Sequence, residues 1–184
     1  MPNIYEEQKE GIFETFISFC QRLKIYTPLR KEYEKTLKKL NPPQNSKILE
    51  IGTGNISYKK YFPNCDFISS DMDASYQVDD VVDVHNIKYP DNYFDVVLFH
   101  GILEHIESPE QALDEIYRVL KPSGIAIVST IFFFPYHYFP SDYWRFTEQG
   151  LKLLLKKFKI VEFKIIKWFL FDRLPLGFIT KVKK

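Results

Sequence analysis

Ile48-Leu49-Glu50-Ile51-Gly52-Thr53-Gly54-Asn55 joins a short apolar run to two closely spaced glycines, and its reading decides the fold. The run predicts a strand over 46–51 that ends in glycine. Gly52 and Gly54 let the backbone take a tight, positive-φ path and come close to a ligand. Asp71 lies 19 residues after Gly52, where an acidic side chain can hold ribose hydroxyls in a nucleotide-binding α/β unit. A glycine pair alone fits equally well an ordinary strand-to-helix turn, so the rest of the chain has to decide between the two.

Downstream, strand and helix signals alternate. Asp66-Phe67-Ile68-Ser69-Ser70 predicts a second strand ending at Asp71, and a third is expected around Val81 to Val84. Phe94 to Phe99 is a near-continuous apolar run, as in a strand buried on both faces of a parallel sheet. Ser108 followed by Pro109 and Gln111 predicts a helix start with a capping box, and Leu113, Ile116, Tyr117 and Leu120 line one face of that helix. Lys121-Pro122-Ser123-Gly124 stops it ahead of a β-branched strand over Ile125 to Ile131. Thr147 is placed to cap a further helix carrying Leu151, Leu154, Leu155 and Phe158, and a strand follows over Ile160 to Ile166. The alternation predicts an open α/β sheet with helices on both faces.

The 184 residues suit one domain, with a helical extension over 1–45 and the α/β core over 46–184. Within the extension, Ile12, Phe13, Phe16, Ile17, Cys20 and Leu23 recur at helical spacing, as in a lid or packing helix. Balanced charge, 25 basic against 24 acidic residues, gives no overall field toward phosphate backbones, so nucleic acid is not expected as a partner. Cys20 and Cys65 form neither a disulfide framework nor a zinc pair, which suits a reducing cytoplasmic setting. No signal peptide is read at the N-terminus, and no transmembrane segment is expected. His85, His100, His105 and His137 lack the paired spacing of a metal site.

Two cofactor classes compete for the glycine turn. A dinucleotide site asks for a third glycine where this chain has Ser57, and Glu50 would sit poorly beside a pyrophosphate. A carboxylate there suits a cation, or a loop organised around a zwitterion, so a sulfonium cofactor fits better than NAD.

With these motifs in order, residues 46 to 158 resemble the class I S-adenosylmethionine-dependent methyltransferases, particularly the quinone-biosynthesis and sugar-cluster members. The stretch 48–55 looks like the family's first motif, and Asp71, followed by Met72, stands at its ribose-binding position. Asp83-Val84-His85-Asn86-Ile87 is similar to the segment that meets adenine through an acidic side chain and the next backbone N–H. Phe94 to His100 and Ile102-Leu103-Glu104-His105-Ile106 resemble the fourth strand and the loop bordering the methyl group, and Arg118 to Gly124 resembles the family's characteristic turn. The chain departs from the pattern at Ile56 and at Ser123, which replaces a common glycine. The resemblance implies a Rossmann-like, mostly parallel sheet of about seven strands with the last antiparallel. It also implies S-adenosylmethionine as cofactor, held by Glu50, Gly52, Thr53, Gly54, Asp71, Met72, Asp83, Val84 and His100.

On the acceptor side, nine of the sixteen residues from Ile131 to Phe146 are aromatic, and Pro135 and Pro140 prevent a regular helix. Following a strand on the ligand side of the sheet, this loop offers His137, Tyr138, Asp142, Tyr143, Trp144 and Arg145 as walls of a small-molecule pocket. The same aromatics also suit cover for the sheet or a homodimer contact, and Arg145 reads first as an ion-pair partner. Methyl transfer needs positioning more than a protein nucleophile. If the acceptor must lose a proton, His100 and His105 are the candidate bases.

The expected function is methyl transfer to a small molecule. A cofactor-binding regulatory or assembly module without turnover is the alternative, and an NAD-linked oxidoreductase ranks third. Trp168 to Phe171 and the basic end Thr180 to Lys184 are expected to form a final hairpin closing the sheet, with contact to anionic lipid as the second reading.

Overall fold

The computed structural model describes residues 27–137, 141–168 and 171–184. The amphipathic face from Ile12 to Leu23 lies outside them. The chain order is α1 (Pro28–Lys39), β1 (Lys47–Ile51), β2 (Asp66–Asp71), β3 (Asp80–Val81), β4 (Phe94–His100), α2 (Pro109–Val119), β5 (Leu120–Ile131), α3 (Glu148–Leu154), β6 (Lys159–Trp168) and β7 (Phe171–Lys183). Single 3-10 turns occur at Lys59–Tyr61 and Leu103–His105.

The seven strands form one sheet in the order β3-β2-β1-β4-β5-β7-β6. β1 pairs in parallel with both β2 and β4, whereas β7 runs antiparallel between β5 and β6. The expected mostly parallel sheet with an antiparallel last strand is therefore present. The chain builds outward from β1 to β3, then returns to lay β4 on the other side of β1. The carboxyl ends of β1 and β4 flank that reversal, where open α/β sheets bind ligands.

From Val96 onward residues of β4 alternate between two cores, as the period of a strand requires, and Phe94 falls out of that phase where the pairing with β5 shifts register between Phe94 and Val96. Phe94, Val97 and Phe99 face one core, against Ala112, Leu113 and Ile116 of α2 and Leu151 of α3. Val96 and Leu98 face the other, against Leu29, Tyr33 and Leu37 of α1. Covered on both faces, the strand has no use for polar alternation, which accounts for its apolar run.

Several sequence expectations are corrected. The third strand shrinks to Asp80–Val81: Val82 N–H still bonds Asp71 O, but Asn86 N–H returns to Asp83 O and turns the chain away. Ser108 precedes α2 without a side-chain cap bond. Gln111 does not close a capping box either, since its amide donates to His85 O at 3.0 Å. Thr147 does cap α3, accepting from Gly150 N–H. The final hairpin does not place the last strand at the edge. β7 is inserted beside β5, and β6 becomes the edge with Lys159, Glu162, Lys164 and Lys167 along it, charges that discourage strand addition. Ser123 takes φ +69°, meeting the left-handed turn for which glycine is the usual residue.

Phe99 is wholly buried at the centre of this arrangement. Phe99→Ala is expected to cost about 3–5 kcal/mol in urea unfolding, whereas Leu153→Ala, at a side chain 68% exposed, should change stability by at most about 0.5 kcal/mol.

Candidate functional site

The glycine turn is built around a buried carboxylate. Glu50 lies on the α1 face of β1 and is only 3% exposed. It accepts from Thr53 Oγ1 at 3.2 Å, Ser57 Oγ at 2.7 Å and Tyr58 N–H at 3.0 Å. Burial pushes the Glu50 carboxyl up from its ordinary pKa, and these three donors pull the other way. Of the two sequence readings of Glu50, the geometry is that of a loop organiser.

Gly52 has φ +74° and Gly54 φ +51°, both in the left-handed region. A Cβ on Gly52 would fall 2.2 Å from Cδ1 of Ile102, whose side chain lies over the turn. A Cβ on Gly54 would meet nothing within 4 Å, so the turn is open to a ligand on that side. Asp71 supports the same turn from the end of β2: its Oδ2 accepts from Gly54 N–H at 2.9 Å and its Oδ1 from Asp73 N–H at 3.0 Å. Two backbone donors leave about half of a carboxylate's acceptor capacity free.

Beyond Asp71 opens a cleft of about 280 Å³ lined by Met72, Val81, Val82, Asp83, Asn86 and Lys88. Met72 and Val81 expose apolar surface at 64% and 51%. Asp83 accepts from the backbone and ring of His85 at 2.9 and 3.0 Å, and the His85 N–H holds its carboxyl below the usual range. An apolar ledge with an ionised acceptor at its rim can take a flat heterocycle. The Val84 side chain points into the core, so only its backbone could serve the cleft.

At the end of β4, the His100 ring stacks on Tyr33 of α1 with centroids 4.0 Å apart and meets Tyr58 edge-on at 5.7 Å. Its Nδ1 makes a short hydrogen bond with Ser129 Oγ. Loss of hydration among these rings, with Arg30 nearby, lowers the His100 pKa to about 3. A neutral imidazole this hard to protonate is a contact and hydrogen-bonding group rather than a strong base. Tyr33 is wholly buried, and its hydroxyl has no hydrogen-bond partner among the described residues. Tyr33, Tyr58 and Ser129 were not singled out from sequence. The helical face of α1 signals burial for Tyr33, but nothing in the sequence indicates that it meets β4.

The loop after β4 and the segment after β5 are fastened together. Glu104, 1% exposed, accepts from Thr130 Oγ1 at 2.8 Å, and its carbonyl accepts from Tyr143 and Trp144 N–H. Burial raises the Glu104 carboxyl pKa. His105 Nδ1 bonds Ser141 O, its ring meets His137 edge-on at 4.8 Å, and Trp144 Nε1 donates to Ile106 O at 2.8 Å. Arg145 forks onto the Asp142 carboxylate, the ion pair expected of it. Tyr143 and Trp144 remain half exposed beside these anchors. Tyr138 lies outside the described residues.

The two groups of residues thus collect separately. Glu50, Gly52, Thr53, Gly54 and Asp71 share one turn with Met72 and Asp83 beside it, while His137, Tyr143, Trp144 and Arg145 lie on a strap after β5 that His105 meets from the loop after β4. No group of three or more potential metal ligands occurs among the described residues, and no helix there is long and apolar enough to cross a membrane.

The depressed His100 pKa gives stability a pH dependence. The unfolded imidazole binds a proton near pH 6.5, whereas the folded one resists until about pH 3, so its contribution is present above 6.5 and lost as pH falls through that window. Between about pH 7.5 and about pH 5, unfolding free energy should fall less in His100→Gln than in the wild type; equal falls would contradict the assignment.

Residues 49–128 match the family model described as a methyltransferase domain. Over 84 residues the chain is 30% identical to the ubiquinone/menaquinone biosynthesis C-methyltransferase of Hydrogenovibrio crunogenus, covering 46% of this chain and 28% of that protein. It is 27% identical over 121 residues to the ubiquinone biosynthesis O-methyltransferase of Rickettsia bellii, covering 56% of this chain and 50% of the relative. The chain thus spans about half or less of these relatives' length. Among solved structures, the 1,6-didemethyltoxoflavin-N1-methyltransferase of Burkholderia thailandensis, with bound 1,6-didemethyltoxoflavin and S-adenosylhomocysteine, superposes with a TM-score of 0.69 at 17% identity, covering 94% of this chain and 84% of that one. A Bacillus halodurans protein described as a putative methyltransferase gives 0.67 at 14% identity, covering 83% and 99%. The chain therefore has the fold of the class I S-adenosylmethionine-dependent methyltransferases, and the resemblance read from its motifs stands.

Proposed function

We propose that this protein is an enzyme that transfers a methyl group from S-adenosylmethionine to a small-molecule acceptor. The observation that carries the reading is the turn at Gly52 and Gly54, held open between the Glu50 and Asp71 carboxylates. In this reading the free capacity of Asp71 takes the ribose hydroxyls. Met72 and Val81 cover the adenine, which Asp83 and the Val84 N–H meet at its edge. Gly52, Thr53 and Gly54 line the methionine end, and Glu50 keeps their loop in shape. When bound, S-adenosylmethionine supplies an electrophilic methyl group on a cationic sulfur.

His100 borders that methyl group as a neutral side chain fixed by Ser129. The strap carrying His137, Tyr138, Tyr143, Trp144 and Arg145 forms the acceptor side, with His105 between the two. Holding the acceptor in line with the methyl carbon supplies much of the rate, since well-oriented reactants gain up to about 7–11 kcal/mol over free encounter. The match to curated C- and O-methyltransferases of quinone biosynthesis supports a small cyclic acceptor.

The whole chain acts as one unit, with residues 1–45 as an extension on the core over 46–184. Its sparse cysteines, among them the free thiol of Cys65, support a reducing cytoplasmic setting. The exposed rings of Phe133, Tyr136, Tyr143 and Trp144 offer a surface that suits a homodimer as well as an acceptor.

Calorimetry of the purified chain should give saturable binding of S-adenosylmethionine and S-adenosylhomocysteine, and none of NADH. Asp71→Ala should weaken the first two by about tenfold or more, the loss of a hydrogen-bonded charged acceptor being about 1.5–3 kcal/mol. Binding of NADH alone would overturn the assignment.

A further inference from the structure

His137 and Asp142 form a second histidine centre on the strap, built differently from His100. The Asp142 side chain is fully shielded from solvent. Its Oδ2 accepts from the His137 backbone N–H at 3.0 Å and lies 3.3 Å from His137 Nδ1. Nδ1 also lies 3.2 Å from Pro135 O, which can only accept, so this nitrogen carries the proton. The lone pair of the neutral ring is therefore on Nε2, which makes no hydrogen bond to any described residue. Asp142 remains ionised because Arg145 forks onto both of its oxygens and the His137 N–H adds a third donor.

The charged and titratable groups facing His137 are His105, edge-on at 4.8 Å, Asp142 and Arg145. Half-burial, His105 and Arg145 lower the His137 pKa, while Asp142 and the Pro135 carbonyl raise it. The net shift is downward, so the ring is neutral near pH 7, with Nε2 left to take a proton among the described residues and the Asp142 carboxylate beside the ring to offset the charge.

We infer that His137, oriented by Asp142, is the proton acceptor for an acceptor molecule that presents a hydroxyl group, with Asp142 as a positioning residue. The inference rests on the methyltransferase reading above. As the substrate oxygen's lone pair forms the bond to the methyl carbon, the carbon–sulfur bond breaks and its electron pair goes to sulfur, leaving a neutral thioether. The hydroxyl proton passes to His137 Nε2, and Asp142 stabilises the imidazolium until bulk water removes the proton. His100, fixed by Ser129 and resistant to protonation, has no part in this transfer.

Two experiments on the full chain test this. The first is nitrogen-resolved NMR of the histidine side chains, which needs no substrate. Near neutral pH, His137 should show the Nδ1–H tautomer, and Asp142→Asn should lower its pKa. An Nε2–H tautomer, or an unmoved pKa, would overturn the dyad. The second is methyl transfer from labelled S-adenosylmethionine to catechol, which must lose a proton, and to 4-nitrocatechol, which is largely ionised near neutral pH. His137→Gln should slow the catechol reaction by about 100-fold or more and the nitrocatechol reaction by less than about threefold. Equal losses on both probes would make His137 structural. If the wild type binds S-adenosylmethionine but methylates neither probe, the hydroxyl assignment fails while the methyltransferase reading stands. Loss of cofactor binding itself would instead overturn that underlying reading.

Discussion

A carboxylate shut away at the end of β1 is the constraint around which the candidate site is arranged. Glu50 occupies an interior position on the α1 face, where a charge is costly unless its lone pairs are satisfied. Thr53, Ser57 and Tyr58 supply the donors, and each lies in the loop that β1 feeds. The loop's path is therefore tied to the strand's end, and the two left-handed glycines follow from that path. From the neighbouring strand, Asp71 grips Gly54 and Ser70 Oγ donates to the Glu50 carbonyl at 2.7 Å. The turn is thus held from two sides before any ligand arrives, the pre-organisation that lowers the entropic cost of binding.

A second buried carboxylate, Glu104, plays a comparable part for the acceptor side. Its carboxylate accepts from Thr130 at the end of β5 while its backbone carbonyl accepts from two N–H groups of the strap, so the residue sets the distance between the β4 loop and residues 141–146. Through Asp142 and Arg145 the strap then braces itself. The two histidine environments separate accordingly: His100 is buried among aromatic rings and kept neutral, whereas His137 faces a carboxylate and its Nε2 meets no hydrogen-bond partner among the described residues. Different surroundings give chemically identical side chains different work.

The parallel half of the sheet was legible because its strands are covered on both faces. Phe94 to Phe99 had to be apolar at every position but Asp95, and Asp95 is at the strand's start, where it pairs with Lys121 and accepts from Lys47 N–H. The glycine turn and Asp71 were legible through spacing. The third strand was overextended because Val82 and Val84 are apolar as core residues of an irregular segment, and periodicity does not separate these from a strand. The place of β7 inside the sheet was not readable, since its pairing with β5 depends on contacts about fifty residues apart in sequence. The stacking of Tyr33 on His100 was hidden for the same reason: one residue precedes the glycine turn and the other follows it by a whole α/β unit. The capping box failed on a competition that only tertiary structure reveals, because the Gln111 amide found a carbonyl in the β3–β4 connection.

The central claim is that the turn between Glu50 and Asp71 is where the cofactor sits, and a crystal structure of the full chain soaked with S-adenosylhomocysteine tests it most directly. The account predicts the ribose on Asp71, the adenine in the cleft of Met72, Val81 and Asp83, and the thioether sulfur directed toward His100. Ligand density elsewhere, such as the groove between α1 and β6 lined by Lys31, Lys35, Lys164 and Lys167, with the glycine turn left empty, would contradict it.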